Sequence, residues 1–332
     1  MQVYDRQLLY SASDLAGFLE CSHLTALELR NLETPLPAAE DDDQARLFQE
    51  KGFAHEAAYL EQLRSEGTDV LDLGAERQSL AEKLEATRGG MREGQEVIFQ
   101  ACLYEPPFVG HADFLRRVST PSALGDFSYE VVDTKLARAP RAKFIIQLSL
   151  YSELLAGVQG PLPHQFHLVL GDRTESSFGL ASYLRYFRKL RERFLAFAAA
   201  VPPDSYPERC SYCDLCRWRN LCAEQWDRDD HLNQVANISK IQIGKLRERA
   251  NVRTLAALAR LDPDTRVRGI QDTTLDRLRS QAALQLTKRE TGEDRVEVLP
   301  PDPFGRRGFH RLPEPDPGDV FFDDITVKKL DA

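Results

Sequence analysis

The sequence lacks long apolar segments, since none of its 332 residues belong to an uninterrupted apolar run of 18 or more. A membrane-spanning helix needs roughly 20 such residues. The first 14 residues also lack the succession of basic, apolar and small-residue regions that marks a secretory signal. These two absences exclude a membrane-spanning or secreted class, and we expect a cytoplasmic protein.

The sequence also lacks an excess of positive charge, with 43 Lys and Arg against 52 Asp and Glu and a net charge of -9. The total argues against nucleic acid as a partner, but a local basic surface is enough for phosphate contact. One basic group comprises Arg116, Arg117, Lys135, Arg138, Arg141 and Lys143. A second comprises Arg185, Arg188, Lys189, Arg191 and Arg193, for which a solvated helix face is the alternative interpretation.

Apolar residues make up 42% of the chain and charged residues 29%, which is ordinary for a globular protein long enough for two domains. Hydrophobic periodicity and turn residues predict an α/β arrangement of helices, three consecutive strands, a helix, a strand and a helix. The predicted helices are 11–32, 44–65, 78–92, 143–155 and 178–200. The predicted strands are 96–104, 108–118, 128–136 and 165–171.

The stretch from Ser128 to Tyr151 carries the clearest chemical pattern in the chain. Side chains alternate along a strand, so Asp133 and Lys135 are expected to face the same way, about 6–7 Å apart. This would place a carboxylate suited to a divalent cation beside an ammonium suited to a phosphate. Gln147 and Tyr151 are four residues apart and are expected to share one face of the following helix. Taken alone, Asp-x-Lys also occurs on the solvated faces of many strands.

Together with Asp113 upstream, these residues resemble the RecB-like branch of the PD-(D/E)XK nucleases, which carry Asp, (Asp/Glu)-x-Lys and Gln-x-x-x-Tyr in this order. The resemblance implies a restriction-endonuclease-like core with helical additions. It also implies metal-dependent hydrolysis of phosphodiester bonds, with Asp113, Asp133, Lys135, Gln147 and Tyr151 as the catalytic set. Mg²⁺ or Mn²⁺ would be the metal.

His55 lies at helical spacing with Phe48, Gly52, Tyr59 and Leu63, and this stripe is expected to face inward. A histidine on such a stripe is most simply a hydrogen-bonded core residue. In RecB-like nucleases, however, a histidine on the helix before the sheet completes the metal site. The resemblance therefore implies metal ligands His55, Asp113 and Asp133, with Glu56 as the alternative to His55.

Four cysteines crowd into one short segment, Cys210-x2-Cys213-x2-Cys216-x5-Cys222. Thiolates at such spacing bind zinc or an iron-sulfur cluster, and the spacing does not separate the two. The segment is similar to that of RecB-like nucleases such as AddB and the CRISPR-associated RecB-like exonucleases. The similarity implies a structural [4Fe-4S] cluster held by Cys21, Cys213, Cys216 and Cys222. In a purely local zinc site, Cys210 would replace Cys21.

We expect three parts in the chain: a nuclease domain with the cysteine cluster at 1–228, a helical module at 229–290, and a tail at 291–332. The module pairs two helices across residues 250–253, as a helix-hairpin-helix does, with Asn251 in place of the usual turn glycine. Such modules bind the nucleic acid backbone without reading its sequence, and packing of the two helices against the rest of the protein is the alternative role. The tail is expected to contain a Pro- and Gly-rich linker, 299–318, and the truncated start of a ribonuclease-H-like domain at Asp319 to Asp323.

The segments 11–29 and 213–222 most resemble bacterial RecB-like nucleases fused to a superfamily 1 helicase. DNA is therefore the expected partner, cleaved as single strands or from ends during repair, recombination or defence. A helicase encoded separately, or lost by truncation, is an expected protein partner. The alternatives are a catalytically silent binding or scaffold module with the same fold, and a zinc protein without a nuclease site.

Overall fold

The computed structural model describes residues 1–40, 43–74 and 78–297. The strands are β1 (Gln2–Tyr4), β2 (Gln7–Leu9), β3 (Val70–Asp72), β4 (Val97–Glu105), β5 (Phe108–Val118), β6 (Ser128–Thr134), β7 (Gln165–Val169) and β8 (Glu175–Gly179). The α-helices are α1 (Ala12–Glu20), α2 (Ser22–Glu33), α3 (Asp43–Ser65), α4 (Leu80–Glu93), α5 (Ala142–Gln159), α6 (Ala181–Ala199), α7 (Arg219–Arg228), α8 (Lys240–Ala250), α9 (Leu255–Ala259) and α10 (Asp272–Thr291).

A six-stranded mixed sheet in the order β3-β4-β5-β6-β7-β8 forms the centre of the fold. Only β3 with β4 and β6 with β7 run parallel within this sheet. The parallel pair β6 and β7 requires a crossover, which α5 provides. The expected α/β class is therefore confirmed.

Successive residues of the central strands pack against helices on opposite faces of the sheet. Leu115 and Val131 share a hydrophobic cluster with the apolar side chains of α5. Their neighbours Phe114 and Val132 contribute instead to a cluster with Tyr59 of α3. Both faces of β6 are covered, so polar and apolar residues alternate little along it and all seven are buried, including Ser128, Glu130, Asp133 and Thr134.

The alternation shifts by one residue at Gln100 of β4. Ile98 and Ala101 both belong to the α5-side cluster, although residues three apart on a regular strand face opposite ways. Gln100 itself adopts a left-handed conformation with φ 55°. It stands across from Asp113, between the register pairs Phe99–Phe114 and Ala101–Ala112. The irregularity therefore falls at the residue that faces Asp113.

Three predicted elements were wrong in detail. The single helix expected from residue 11 is two helices, because Cys21 has an extended backbone with φ -156°. The strand predicted to run to Leu136 ends at Thr134, which places Lys135 just beyond it. Phe178 lies in β8, which was not predicted, rather than at the start of a helix.

A further hydrophobic cluster lies in the C-terminal part of the described chain and is built from α8, α9 and α10, with Leu246, Leu255 and Leu275 fully buried. Asn251 ends α8 in the left-handed conformation expected of it, with φ 51°. The division into domains stays a prediction. The linker at 299–318 and the Asp319 to Asp323 segment lie outside the described residues.

No helix within the described ranges has both the length and the apolar content needed to cross a bilayer.

Candidate active site

Asp113 and Asp133 occupy neighbouring positions on adjacent strands, one residue beyond the register pair Phe114–Val132. The backbone N–H of Thr134 donates a hydrogen bond to Asp113 Oδ2 at 2.9 Å, and the Thr134 hydroxyl donates another at 3.1 Å. The side chain of Asp133 is completely buried. Burial, followed by the charge of Asp113, raises the pKa of the Asp133 carboxyl well above its ordinary value. The two carboxylates therefore converge.

Lys135 is the positive partner of this carboxylate pair. Its Nζ lies 2.5 Å from Asp133 Oδ2, and its side chain retains 23% exposure. The contact is an ion pair, since Oδ2 accepts no well-directed hydrogen bond from the residues that the structure describes. Burial lowers the pKa of Lys135, but the charges of Asp133 and Asp113 outweigh it and raise the pKa overall. The ammonium is therefore held charged at the edge of the pocket.

Gln147 and Tyr151 lie on the face of α5 that covers the strand ends. The amide of Gln147 is 3.1 Å from Asp133 Oδ1 and 3.3 Å from the Tyr151 hydroxyl. Burial, with a further contribution from Asp133, raises the pKa of Tyr151, so the phenol stays protonated. The ring packs over Gly110, where a Cβ atom would come within 2.6 Å of it. Glycine at this position lets α5 approach β5.

Glu56 of α3 brings a third carboxylate to the site. Burial and the charge of Asp113, the two largest effects, raise its pKa, whereas Lys135 lowers it. The side-chain amide of Gln100 donates a hydrogen bond to Glu56 Oε1. Sequence reasoning considered Glu56 only as the substitute for His55 and missed Gln100, whose left-handed conformation has no glycine to signal it.

His55 precedes Glu56 on α3 and is half-buried. Its Nε2 is buried and has no hydrogen-bond partner among the described residues. Leaving such an atom unpaired costs free energy, which is ordinarily recovered by a donor, an acceptor or a metal. The expected inward stripe was wrong at Phe48, which is 60% exposed.

The charges of the site do not balance. Asp113, Asp133 and Glu56 surround Lys135, and the other cation that acts on Glu56, Lys83, has a smaller effect on it than Lys135. Burial and then the charge of Asp113 raise the pKa values of Asp133 and Glu56, and the charges of the surrounding carboxylates raise the pKa of Lys135. The pocket therefore favours an additional positive charge.

Five thiols form a second cluster, away from the sheet. Cys21, at the break between α1 and α2, lines a cavity of about 330 Å³ together with the four cysteines of the later segment, Cys210, Cys213, Cys216 and Cys222. Burial and the neighbouring thiols, Cys216 first among them, raise the pKa of Cys222 to about 12. Thiols so placed lose their protons readily only when a metal compensates the charge.

Two backbone amides already point at sulfur atoms in this cluster. The N–H of Cys210 lies 3.3 Å from Cys213 Sγ, and the N–H of Trp218 lies 3.4 Å from Cys216 Sγ. Glu28 of α2 accepts a hydrogen bond from the Trp218 indole at 2.9 Å and pairs with Arg217. The thiol loop is thus fastened to the helix that follows Cys21.

Within residues 1–40, 43–74 and 78–297, no group of three or more His, Cys, Asp or Glu side chains has an arrangement that would hold a metal ion.

In the second basic group, Arg188 and Arg191 pair with Glu153, and Lys189 pairs with Glu192. Those ion pairs favour the solvated-face interpretation for α6.

No protein-family profile and no curated protein matches the chain. One similar solved structure is described as "Crystal structure of SSO0001". It is 14% identical, covers 61% of this chain and 95% of its own, and has a TM-score of 0.24. A similarity of this size carries no argument about the fold or the function.

Proposed function

We propose that this protein is a PD-(D/E)XK-type nuclease of the RecB-like group that hydrolyses DNA phosphodiester bonds with a divalent metal. The observation that carries the proposal is the convergence of Asp113 and Asp133 beside the ammonium of Lys135. The order of elements supports it, because a helix, three antiparallel strands, a crossover helix and a parallel strand surround this site.

Asp113, Asp133 and either His55 or Glu56 would hold Mg²⁺ or Mn²⁺. The fit rests on two features of these residues: the excess of carboxylates over cations and the unpaired His55 Nε2. Imidazole among the ligands favours Mn²⁺. A divalent ion in such a site lowers the pKa of its bound water and offsets charge on the phosphate.

The remaining residues act through position and charge. Lys135 would orient the attacking water or stabilise the charge that develops on the scissile phosphate, since its ammonium is partly exposed and fixed by Asp133. Gln147 would orient Asp133, because its amide donates a hydrogen bond to Oδ1 while Oδ2 faces the ammonium of Lys135. Tyr151, protonated and hydrogen-bonded to the same amide, would keep Gln147 in that rotamer.

Cys21, Cys213, Cys216 and Cys222 would hold a structural [4Fe-4S] cluster, with zinc as the alternative occupant. Thiols spread around a cavity of about 330 Å³ suit a group larger than one ion, and amides directed at sulfur are typical of such sites. The cluster would join the start of the chain to residues 213–222. Its expected role is therefore structural.

The proposed substrate is DNA, cut as single strands or at ends, in repair, recombination or defence, with a helicase as the proposed protein partner. The proposal is tested by incubating purified protein and labelled DNA with Mn²⁺. Lys135→Ala should abolish cleavage, and Lys189→Ala, a change to an exposed and paired lysine, should retain it. Equal cleavage by the two variants, or no cleavage by the unmodified protein, would reject the proposed active site. The alternative of a catalytically silent binding or scaffold module would then be favoured.

A further inference from the structure

The first half of α3 carries large apolar side chains in water. Phe48 is 60% exposed and Phe53 is 65% exposed. Phe48 precedes the buried Tyr59 by eleven residues, and Phe53 precedes the buried Leu60 by seven, so both rings lie on the sheet-facing side of the helix. Phe48 and Phe53 therefore lie beyond the part of α3 that the sheet covers.

These rings adjoin the candidate active site. Phe53 is three residues from Glu56, and Phe48 is seven from His55, which places each ring on the same side as one of those residues. At 1.5 Å per residue, Phe53 lies about 5 Å along the helix axis from Glu56. Gly52, between the rings, has open space beside it, since a Cβ there would meet nothing within 4 Å. Both rings are exposed, so each has room for a flat ligand beside it.

A group of cations extends from Lys135 to the start of α5. Lys135 and Lys143 both approach the ring of Phe144, with Nζ at 5.8 Å and 5.6 Å from its centre. Arg141, which immediately precedes α5, is exposed. A row of positive charge thus continues outward from the ammonium that pairs with Asp133.

We infer that a single strand of DNA stacks its bases on Phe48 and Phe53 while its phosphates follow Lys143 and Arg141 toward Lys135. The inference rests on the proposed function and specifies its substrate. Every base has a π face, so stacking is independent of sequence, but in a duplex those faces are covered by neighbouring bases. The arrangement therefore selects single strands over duplex.

The test is the binding of fluorescently labelled oligothymidylate, followed by anisotropy in EDTA so that cleavage does not interfere. Phe48→Ala and Phe53→Ala should each raise Kd about tenfold, because loss of one stacked base has an effect of this size. Phe48→Trp should restore binding, whereas Phe48→Leu should not, because leucine is apolar but has no flat face. Leu47→Ala is the matched control, since Leu47 is 48% exposed but points more than about 100° away from both Tyr59 and Leu60, off the sheet-facing side.

Three outcomes would overturn the inference: unchanged Kd in both alanine variants, full binding by Phe48→Leu, or the same loss in Leu47→Ala. Full binding by Phe48→Leu would instead assign the rings to an apolar protein partner. All positions changed are exposed, so folding is expected to survive and is checked by circular dichroism. Aromatic-dependent binding without cleavage by the unmodified protein would reject the proposed hydrolysis alone, and cleavage without aromatic dependence would reject only this inference.

Discussion

The backbone N–H of Thr134 donates a hydrogen bond to Asp113 Oδ2 at 2.9 Å. A main-chain donor of β6 thus fixes a carboxylate of β5. The donor belongs to the residue between Asp133 and Lys135. The position of Asp113 depends on strand pairing more than on side-chain rotamers. An active site built in this way is as rigid as the sheet that carries it.

Asp133→Asn should stabilise the metal-free protein by about 1–2 kcal/mol while abolishing cleavage. Burial and the charge of Asp113 disfavour this carboxylate more than Lys135 favours it, and an amide of nearly the same shape carries no charge. The measurement is urea unfolding in EDTA, together with the nuclease assay. Asp126→Asn, on an exposed side chain, serves as the control and should change neither. A less stable or still active Asp133→Asn protein would contradict the role given to this carboxylate.

Gln100→Gly should be more stable than Gln100→Ala by about 1 kcal/mol. Both variants lose the hydrogen bond to Glu56, but only alanine keeps a Cβ at φ 55°. In regular strands the order is reversed, because glycine is more flexible in the unfolded chain. Chemical denaturation of both variants measures the difference. The same pair of substitutions at Ser176 in β8 is the control, and there alanine should be the more stable.

Cys21→Ser should remove the bound metal, and Cys210→Ser should keep it. The [4Fe-4S] proposal uses the distant thiol, so iron and sulfide analysis of anaerobically purified protein should separate the two variants. Loss of the link across about 200 residues should also lower the free energy of unfolding by roughly 5 kcal/mol if it acts as a cross-link. The reverse pattern, with zinc lost from Cys210→Ser and retained by Cys21→Ser, would establish a local zinc site.

His167 should make stability fall as pH rises above 6.5. Burial lowers the pKa of His167, but hydrogen bonds to Glu130 (Nε2 to Oε2, 2.8 Å) and to Glu175 outweigh it and raise the pKa above 6.5. A raised folded-state pKa gives stability that is present below 6.5 and lost as pH rises through the raised value. The pKa of Glu175 is lowered to about 2, mainly by His167, so its contribution is lost only in acid, as pH falls from 4.5 toward 2.

The measurement is urea unfolding at pH 6 and pH 9 for the unmodified protein and for His167→Gln. The difference in the free energy of unfolding between the two proteins should be larger at pH 6 than at pH 9. His164→Gln changes an exposed histidine nearby and should leave the pH dependence intact. Parallel curves for the unmodified protein and His167→Gln would refute the assignment.

Local spacing was sufficient for the parts of the site that lie close together in the chain. Asp133 with Lys135, and Gln147 with Tyr151, were expected together from the periods of a strand and a helix. The structure brings all four together, although Lys135 lies just beyond the end of β6. The joining of Asp113 to them required the pairing of β5 with β6, which a single sequence does not specify. It was expected only through resemblance.

Other features of the structure correspond to no sequence pattern from which they could be predicted. The left-handed residue at position 100 is a glutamine, so nothing marked the shift in β4 or the contact with Glu56. The break at Cys21 contains neither glycine nor proline, so two helices were expected as one. The exposure of Phe48 was missed because periodicity gives the direction of a side chain but not the length of the sheet beneath it.

The interruption between α1 and α2 has a consequence for the order of assembly. It turns a thiol near the start of the chain toward partners that a ribosome adds only when it reaches Cys222. Until then the other four thiols of the cluster have not been synthesised. The first helices are therefore made before the thiol-lined cavity can be completed. The proposed cluster would accordingly be loaded late, after all six strands of the central sheet have been made.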